Sequence, residues 1–189
     1  MTGQMIEDYL AELGLIDDAG NVVTPETYTF DDDGTIPNSP LPVVLYRSIT
    51  PGRGDLAEHL ETLFDINAWP AQWRGNVFDY HHYHSVAHEV LGIFSGWARL
   101  RLGGEAGQDV EVKAGDVIIL PAGTGHCCLD ASDDFQLVAG YPPDQQQWDI
   151  CRDATEHDAA TKRIAQVPMP SRDPVGGEGG ALIGLWHVR

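Results

Sequence analysis

Basic side chains are scarce in this sequence: 11 lysines and arginines stand against 29 aspartates and glutamates, for a formal charge of −18 at pH 7. So acidic a chain repels phosphate backbones and anionic membrane surfaces, which argues against nucleic acid and membrane partners. The acidity reads as a solvated surface, not as a recognition tail. Cysteine is nearly absent. Cys127, Cys128 and Cys151 are an odd set, and Met1 to Gly14 lacks the basic-then-apolar pattern of a signal peptide. Reduced thiols and a cytoplasmic location are therefore expected, not a disulfide framework. Long apolar runs are missing too: none approaches the roughly 18 residues that a membrane span needs.

What remains is ordinary globular composition, 42% hydrophobic and 21% charged over 189 residues, enough for one folded domain. Ile6, Leu10 and Leu13 at helical spacing predict a short helix near the start, and Val22 to Phe30 predicts a strand ended by Asp31-Asp32-Asp33-Gly34. Val43 to Tyr46 predicts another strand. Asp55 with Glu58 three residues on marks a helix start, and Leu56, Leu60, Leu63 and Phe64 give that helix an apolar stripe suited to covering one end of a barrel. From about Asn76 to Tyr141, short apolar runs alternate with Gly, Pro and Asp turns, the rhythm of an antiparallel sandwich or barrel. The expected strands are 76–84, 89–95, 97–102, 109–113, 117–120, 126–130 and 134–140. Beyond them, 153–167 has room for a helix and 168–180, rich in Pro and Gly, should be loop.

Strand alternation turns His82 and His84 the same way, together with Phe78 and Tyr80. Glu89 follows five residues after His84, and His126 comes after a turn bearing glycine and proline that can return its strand beside the first. Three imidazoles and a carboxylate suit one divalent transition metal (iron, manganese, nickel, cobalt, copper or zinc) and leave coordination sites for water or substrate.

Residues 75–96 read GNVFDYHHYHSVAHEVLGIFSG, which resembles the first cupin motif: glycine, His-x-His, four residues, Glu, six residues, Gly. Residues 115–130 read GDVIILPAGTGHCCLD, similar to the second motif, with Gly, five residues, Pro-x-Gly, two residues and His. Only 18 residues separate Gly96 from Gly115. Two departures stand out: six residues, not five, precede His82 after Gly75, and Asp130 stands where the family more often has Asn. The flanking phrases DDGTIPNSPLPVVLYR and SRDPVGGEGG, with a late Trp186, resemble the YjlB-like group of small single-domain bacterial cupins.

The resemblance implies an all-β fold, the double-stranded β-helix also described as a conical barrel or jelly roll, with a few flanking helices. Residues 75–141 would form its core, between N-terminal strands and helices in 1–74 and an extension in 142–189. It places His82, His84, Glu89 and His126 on the four ligand positions. It further implies a small-molecule ligand or substrate, and a homodimer whose contact the strands before residue 50 would supply. Dioxygenase chemistry ranks first, a metal-dependent isomerase or decarboxylase second, and the rival class is a non-catalytic metabolite-binding module.

Other residues carry plainer readings. His81 and His88 should face outward or support a ligand, although a bulge would turn either inward in place of a neighbour. His59, His157 and His187 are read as ordinary core or surface histidines. Cys128 should share the inward face of His126 as a small hydrophobe while Cys127 points away. Arg99 and Arg101, alternating with Leu100 and Leu102, should face solvent, and the Gly103-Gly104 and Gly176-Gly177 pairs are turns without a phosphate-binding context.

Overall fold

The continuous apolar tetrads Val43–Tyr46 and Val117–Leu120 have all four residues buried, as strands must when both faces of their sheet are covered. Trp97–Leu102 instead alternates exposed and buried, with Arg99 in solvent and Leu100 inside, because only one face of its sheet is covered. These two patterns define the architecture. In a computed structural model that describes residues 23–50 and 53–187, nine strands form two antiparallel sheets.

The strands are β1 (Glu26–Tyr28), β2 (Val43–Tyr46), β3 (Ala71–Gly75), β4 (Glu89–Ser95), β5 (Trp97–Leu102), β6 (Gln108–Lys113), β7 (Val117–Leu120), β8 (His126–Ala131) and β9 (Gln136–Gly140). Six of them lie in the order β1-β2-β7-β4-β9-β3, and the other three in the order β6-β5-β8. Helices α1 (Leu56–Ile66), α2 (His157–Ile164) and α3 (Ala181–His187) flank them, with a short 3-10 turn at Ala154–Glu156.

Between the sheets, Leu45, Leu91, Ile93 and Ile118 pack against Leu100, Leu102 and Val112 in one apolar layer. The alternate residues of the same strands, Val44, Val90, Val117 and Ile119, face a second layer that includes Leu60 and Phe64 of α1 and Leu182 and Trp186 of α3. Each of these large side chains contributes roughly 1.5–3 kcal/mol on burial. Asp55 caps α1 by accepting the Glu58 backbone N–H at 2.9 Å. The helix lies across β4 and β9 on the outer face of the larger sheet and so covers a face, not the end of the barrel. Gly92 permits that approach, since a Cβ there would stand 2.8 Å from the Phe64 ring.

The C-terminal loop is tied down by Asp173, fully buried, which accepts the Tyr46 hydroxyl at 2.5 Å and the backbone N–H groups of Val175, Gly176 and Leu182. Trp186 of α3 donates its indole N–H to the Pro42 carbonyl at 2.9 Å.

The expected strands from residue 89 onward form, with ends shifted by a residue or two. The strand at 22–30 shortens to Glu26–Tyr28, and the predicted helix carrying Ile6, Leu10 and Leu13 lies outside the described residues. The strand at 76–84 does not form. The regular ladder runs over Ala71–Gly75 instead, paired with β9, and the following stretch is held by isolated bridges at His82 and Tyr83 and by single backbone hydrogen bonds to the Phe78 and His84 carbonyls. The apolar signal at Phe78 and Tyr80 belongs to side chains stacked on each other, centroids 4.8 Å apart, not to a ladder.

Candidate metal centre

His82 and His84 lie in the connection between β3 and β4, yet their orientation is fixed as firmly as in a sheet. His82 N donates to the His126 carbonyl at 3.2 Å and His126 N donates back at 2.9 Å. Tyr83 makes the same double exchange with Cys151, at 3.1 and 2.9 Å, and Gly123 N donates to the His84 carbonyl at 2.8 Å. Three consecutive residues are thus clamped between β8 and the C-terminal segment, so alternation survives without a regular strand. Gly123 must be glycine: its φ is +95°, and a Cβ would meet the Asn38 carbonyl oxygen at 2.4 Å. That turn delivers His126, the first residue of β8, to the first residue of β4, Glu89.

The three imidazoles converge. His82, His84 and His126 are each at most 5% exposed, and their ligand nitrogens all lie within 4.8 Å of one another. Each ring is oriented from behind. Nδ1 of His82 faces the Tyr80 carbonyl at 3.1 Å, Nδ1 of His126 faces that of Thr124 at 3.0 Å, and Nδ1 of His84 contacts the carbonyl of Asp149. A carbonyl accepts only, so a neutral ring must carry its proton on Nδ1 and turn the Nε2 lone pair inward. Asp149 is held in turn by Ser85, whose N–H donates to Oδ1 at 2.7 Å, and Arg163 Nε donates to the Ser85 hydroxyl at 2.7 Å.

Glu89 adjoins two of the three rings. Its Oε2 lies 3.2 Å from His84 Nε2 and 3.4 Å from His126 Nε2, while Oε1 accepts the Tyr141 hydroxyl at 2.6 Å. Oε2 is buried without a hydrogen-bond donor of settled geometry. Burial alone would raise this carboxyl's pKa, but the neighbouring His84 and His126 hold it well below the usual range. Burial likewise works to neutralise His84, and the Glu89 charge overrides it, holding the pKa above its ordinary value. His82 is pushed down to about 3, chiefly by burial and then by His126. With the rings neutral, inward lone pairs and a carboxylate oxygen concentrated in so little space repel one another unless a cation stands among them; a proton on His84 relieves one contact, and a divalent metal fits the whole donor set.

These residues floor a cavity of about 300 Å³ whose walls include Trp73, Phe78, Leu91 and Trp148. Tyr141 stacks on Trp148, centroids 5.8 Å apart, and accepts the Trp73 indole N–H at 2.9 Å. A larger open cleft of about 660 Å³, bordered by Asp33, His81, Glu105 and Arg152, lies apart from the triad.

All four expected ligand residues are therefore neighbours, the histidines forming the tight trio and Glu89 flanking it. His81 faces Glu105 at 3.7 Å, away from the trio. His88 also points away from the barrel interior, but it is not at the surface. The Trp186 ring covers it at 4.8 Å, its Nδ1 accepts the Ala122 N–H at 2.9 Å, and burial pushes its pKa down to about 4. Cys128 packs at the margin of the inter-sheet core as alternation predicts, and Cys127, expected to point away from it, is 4% exposed. Tyr141, Trp148 and Asp149 escape sequence reading because their relation to Glu89 and His84 arises only from the pairing of β9 with β4 and the return of the C-terminal segment.

Residues 74–139 match the family model described as cupin domain. The uncharacterized protein YjlB of Bacillus subtilis is 40% identical over 162 residues, which span 85% of this chain and 96% of that protein. Among solved structures, procruciferin, an 11S globulin from Brassica napus, is 20% identical over 42% of this chain with a TM-score of 0.35, and this chain spans only 21% of its length. A Klebsiella pneumoniae protein with a double-stranded β-helix domain is 17% identical, covering 69% of this chain and 86% of its own, with a TM-score of 0.34. Neither structural likeness is close enough to bear on activity. Two antiparallel sheets, a buried histidine trio and a relative of this identity over nearly its whole length agree: the chain belongs to the cupin family, as a small cupin of the YjlB type.

Proposed function

We propose that the chain holds one divalent transition metal on His82, His84, Glu89 and His126 and uses it on a small molecule, as an enzyme of the dioxygenase type. The observation that carries this reading is Glu89 Oε2, buried without a settled donor and pressed against two of three convergent imidazoles. A bound metal supplies Lewis acidity there, and dioxygen chemistry if it is iron. The chain's own residues do the rest. The carbonyls of Tyr80, Thr124 and Asp149 fix the ligand tautomers, and Tyr141 orients Glu89.

Oxygen chemistry is favoured over isomerisation or decarboxylation because those reactions need a positioned proton carrier. Beyond the four ligands, the polar lining residue is Asn76, which does not titrate, and the Tyr141 hydroxyl is committed to Glu89. The same shortage supports a second reading, a cupin that captures a metabolite without transforming it. Metal analysis of protein purified without a tag, followed by aerobic and anaerobic turnover screens on the iron-loaded form, tests both. Metal-dependent oxygen uptake supports the enzyme; redox-silent binding of a metabolite supports the module. Protein that takes up no divalent metal refutes the site.

A further inference from the structure

The chemistry of the cavity wall limits what can enter. Above the four ligand residues the lining is Trp73, Val77, Phe78, Leu91 and Trp148, with Asn76 as its neutral polar group. Three aromatic rings and two aliphatic side chains around about 300 Å³ make a small site; ligand pockets span roughly 300–1,000 Å³, and about 150 Å³ suffices for benzene.

Positive charge is missing from this wall, and the rest of the chain has little to lend. Among the described residues, Arg47, Arg74, Arg101 and Arg172 are hydrogen-bonded to carboxylates elsewhere, and Arg163 to Ser85. Arg53, Arg99, Lys113 and Lys162 are exposed, and none borders the cavity. Residues 1–22 contain no lysine or arginine. Arg152 is the nearest rival by connection, since it lies 3.7 Å over the Tyr80 ring, which stacks on Phe78; it borders the neighbouring cleft instead. A carboxylate or phosphate placed against this wall would lose its hydration without a partner, a heavy cost.

Resting on the metal site proposed above, we infer that the ligand is a flat apolar molecule, an aromatic ring presenting a single hydroxyl-type donor to the metal, and not a polycarboxylate, a phosphate ester or a sugar. The indole and phenyl rings offer stacking surface for such a ring, and apart from the Asn76 amide the body of the ligand meets a wall of aromatic and aliphatic side chains. Only the donor atom meets the polar floor.

A matched pair of probes isolates the wall from the metal: 4-ethylphenol and 4-hydroxybenzoate share the donor and differ at the far end. Calorimetric titration of chelated protein, in which no metal can capture the carboxylate in place of the phenol, should show 4-ethylphenol binding about tenfold or more tighter than 4-hydroxybenzoate. Phe78 is 44% exposed, so Phe78→Arg should fold, and it should erase or invert that preference. Trp148→Ala should weaken 4-ethylphenol severalfold while leaving the zinc content unchanged. Equal or tighter binding of 4-hydroxybenzoate, particularly if Arg152→Ala abolishes it, would overturn the inference, as would failure of both probes to bind. Failure of the wild-type protein to take up zinc or any other divalent transition metal would instead overturn the metal site, and the preference in the metal-free protein would still judge the wall.

Discussion

Replacing Tyr141 with Phe removes one oxygen from the centre and leaves the ring in place. That oxygen donates to Glu89 Oε1 at 2.6 Å and accepts from Trp73 Nε1 at 2.9 Å, so the change strips a donor from a buried carboxylate and an acceptor from an indole N–H. A hydrogen bond to a charged group contributes about 1.5–3 kcal/mol, and an orphaned buried donor costs about 1–3 kcal/mol more. A loss of about 2.5–6 kcal/mol is therefore expected in the chelated protein, a drop of roughly 5–24 °C in Tm for a chain of this size. The metal adds a second, separable effect. With its orienting partner gone, Glu89 should bind metal about 10–100-fold more weakly. Zinc-dependent stabilisation follows the logarithm of zinc concentration over Kd, so each tenfold loss of affinity lowers it by about 1.4 kcal/mol at fixed zinc. Thermal melts of chelated and zinc-loaded wild type and variant, with competition titrations for Kd, read both effects. An unchanged zinc affinity in Tyr141→Phe would refute the view that Glu89 is a ligand oriented by Tyr141.

The other expectations are more direct. His82→Ala and His126→Ala should each lose most bound metal, while His81→Ala, which faces Glu105, should retain it; elemental analysis of the three variants decides. Asp173→Ala should destabilise by about 3–5 kcal/mol in denaturant titrations, because Tyr46 and three backbone N–H groups lose their buried acceptor, with metal content unaffected. Imidazoles ligate only when neutral; burial holds His82 neutral down to about pH 3, whereas the Glu89 charge holds the His84 pKa above its ordinary value, so His84 is the ligand for which protons compete first as pH falls. Metal-dependent stabilisation should therefore be full at mildly alkaline pH and weaken as pH falls through neutral into mild acid; a gain unchanged from alkaline to acidic pH would contradict ligation by His84.

The elements legible in the sequence were those whose signal is local. Val43–Tyr46 and Val117–Leu120 read as strands because burial on both faces demands unbroken apolar runs, and Trp97–Leu102 reads as one because a single solvated face demands alternation. The spacings of His82, His84 and Glu89 were equally local, two residues and five, while His126 was placed by the Pro-x-Gly turn before it and by the motif it resembles, and these residues are neighbours in the structure. Only the tertiary structure could decide what surrounds them. Residues 76–84 carry strand-like side chains, but they hang from β8 and the C-terminal segment by single bridges, and the ladder partner of β9 is Ala71–Gly75. Tyr141 meets Glu89 because β9 pairs with β4 in a register that no sequence spacing encodes, and Asp149 reaches His84 across 65 residues because the C-terminal segment returns to the barrel. The sequence alone determined that His82 and His84 share a face, since alternation along a short stretch sets their direction, and its motifs singled out Glu89 and His126. The fold decided their tautomers, their burial and the uncharged wall above them, since those depend on carbonyls and side chains brought in from distant strands.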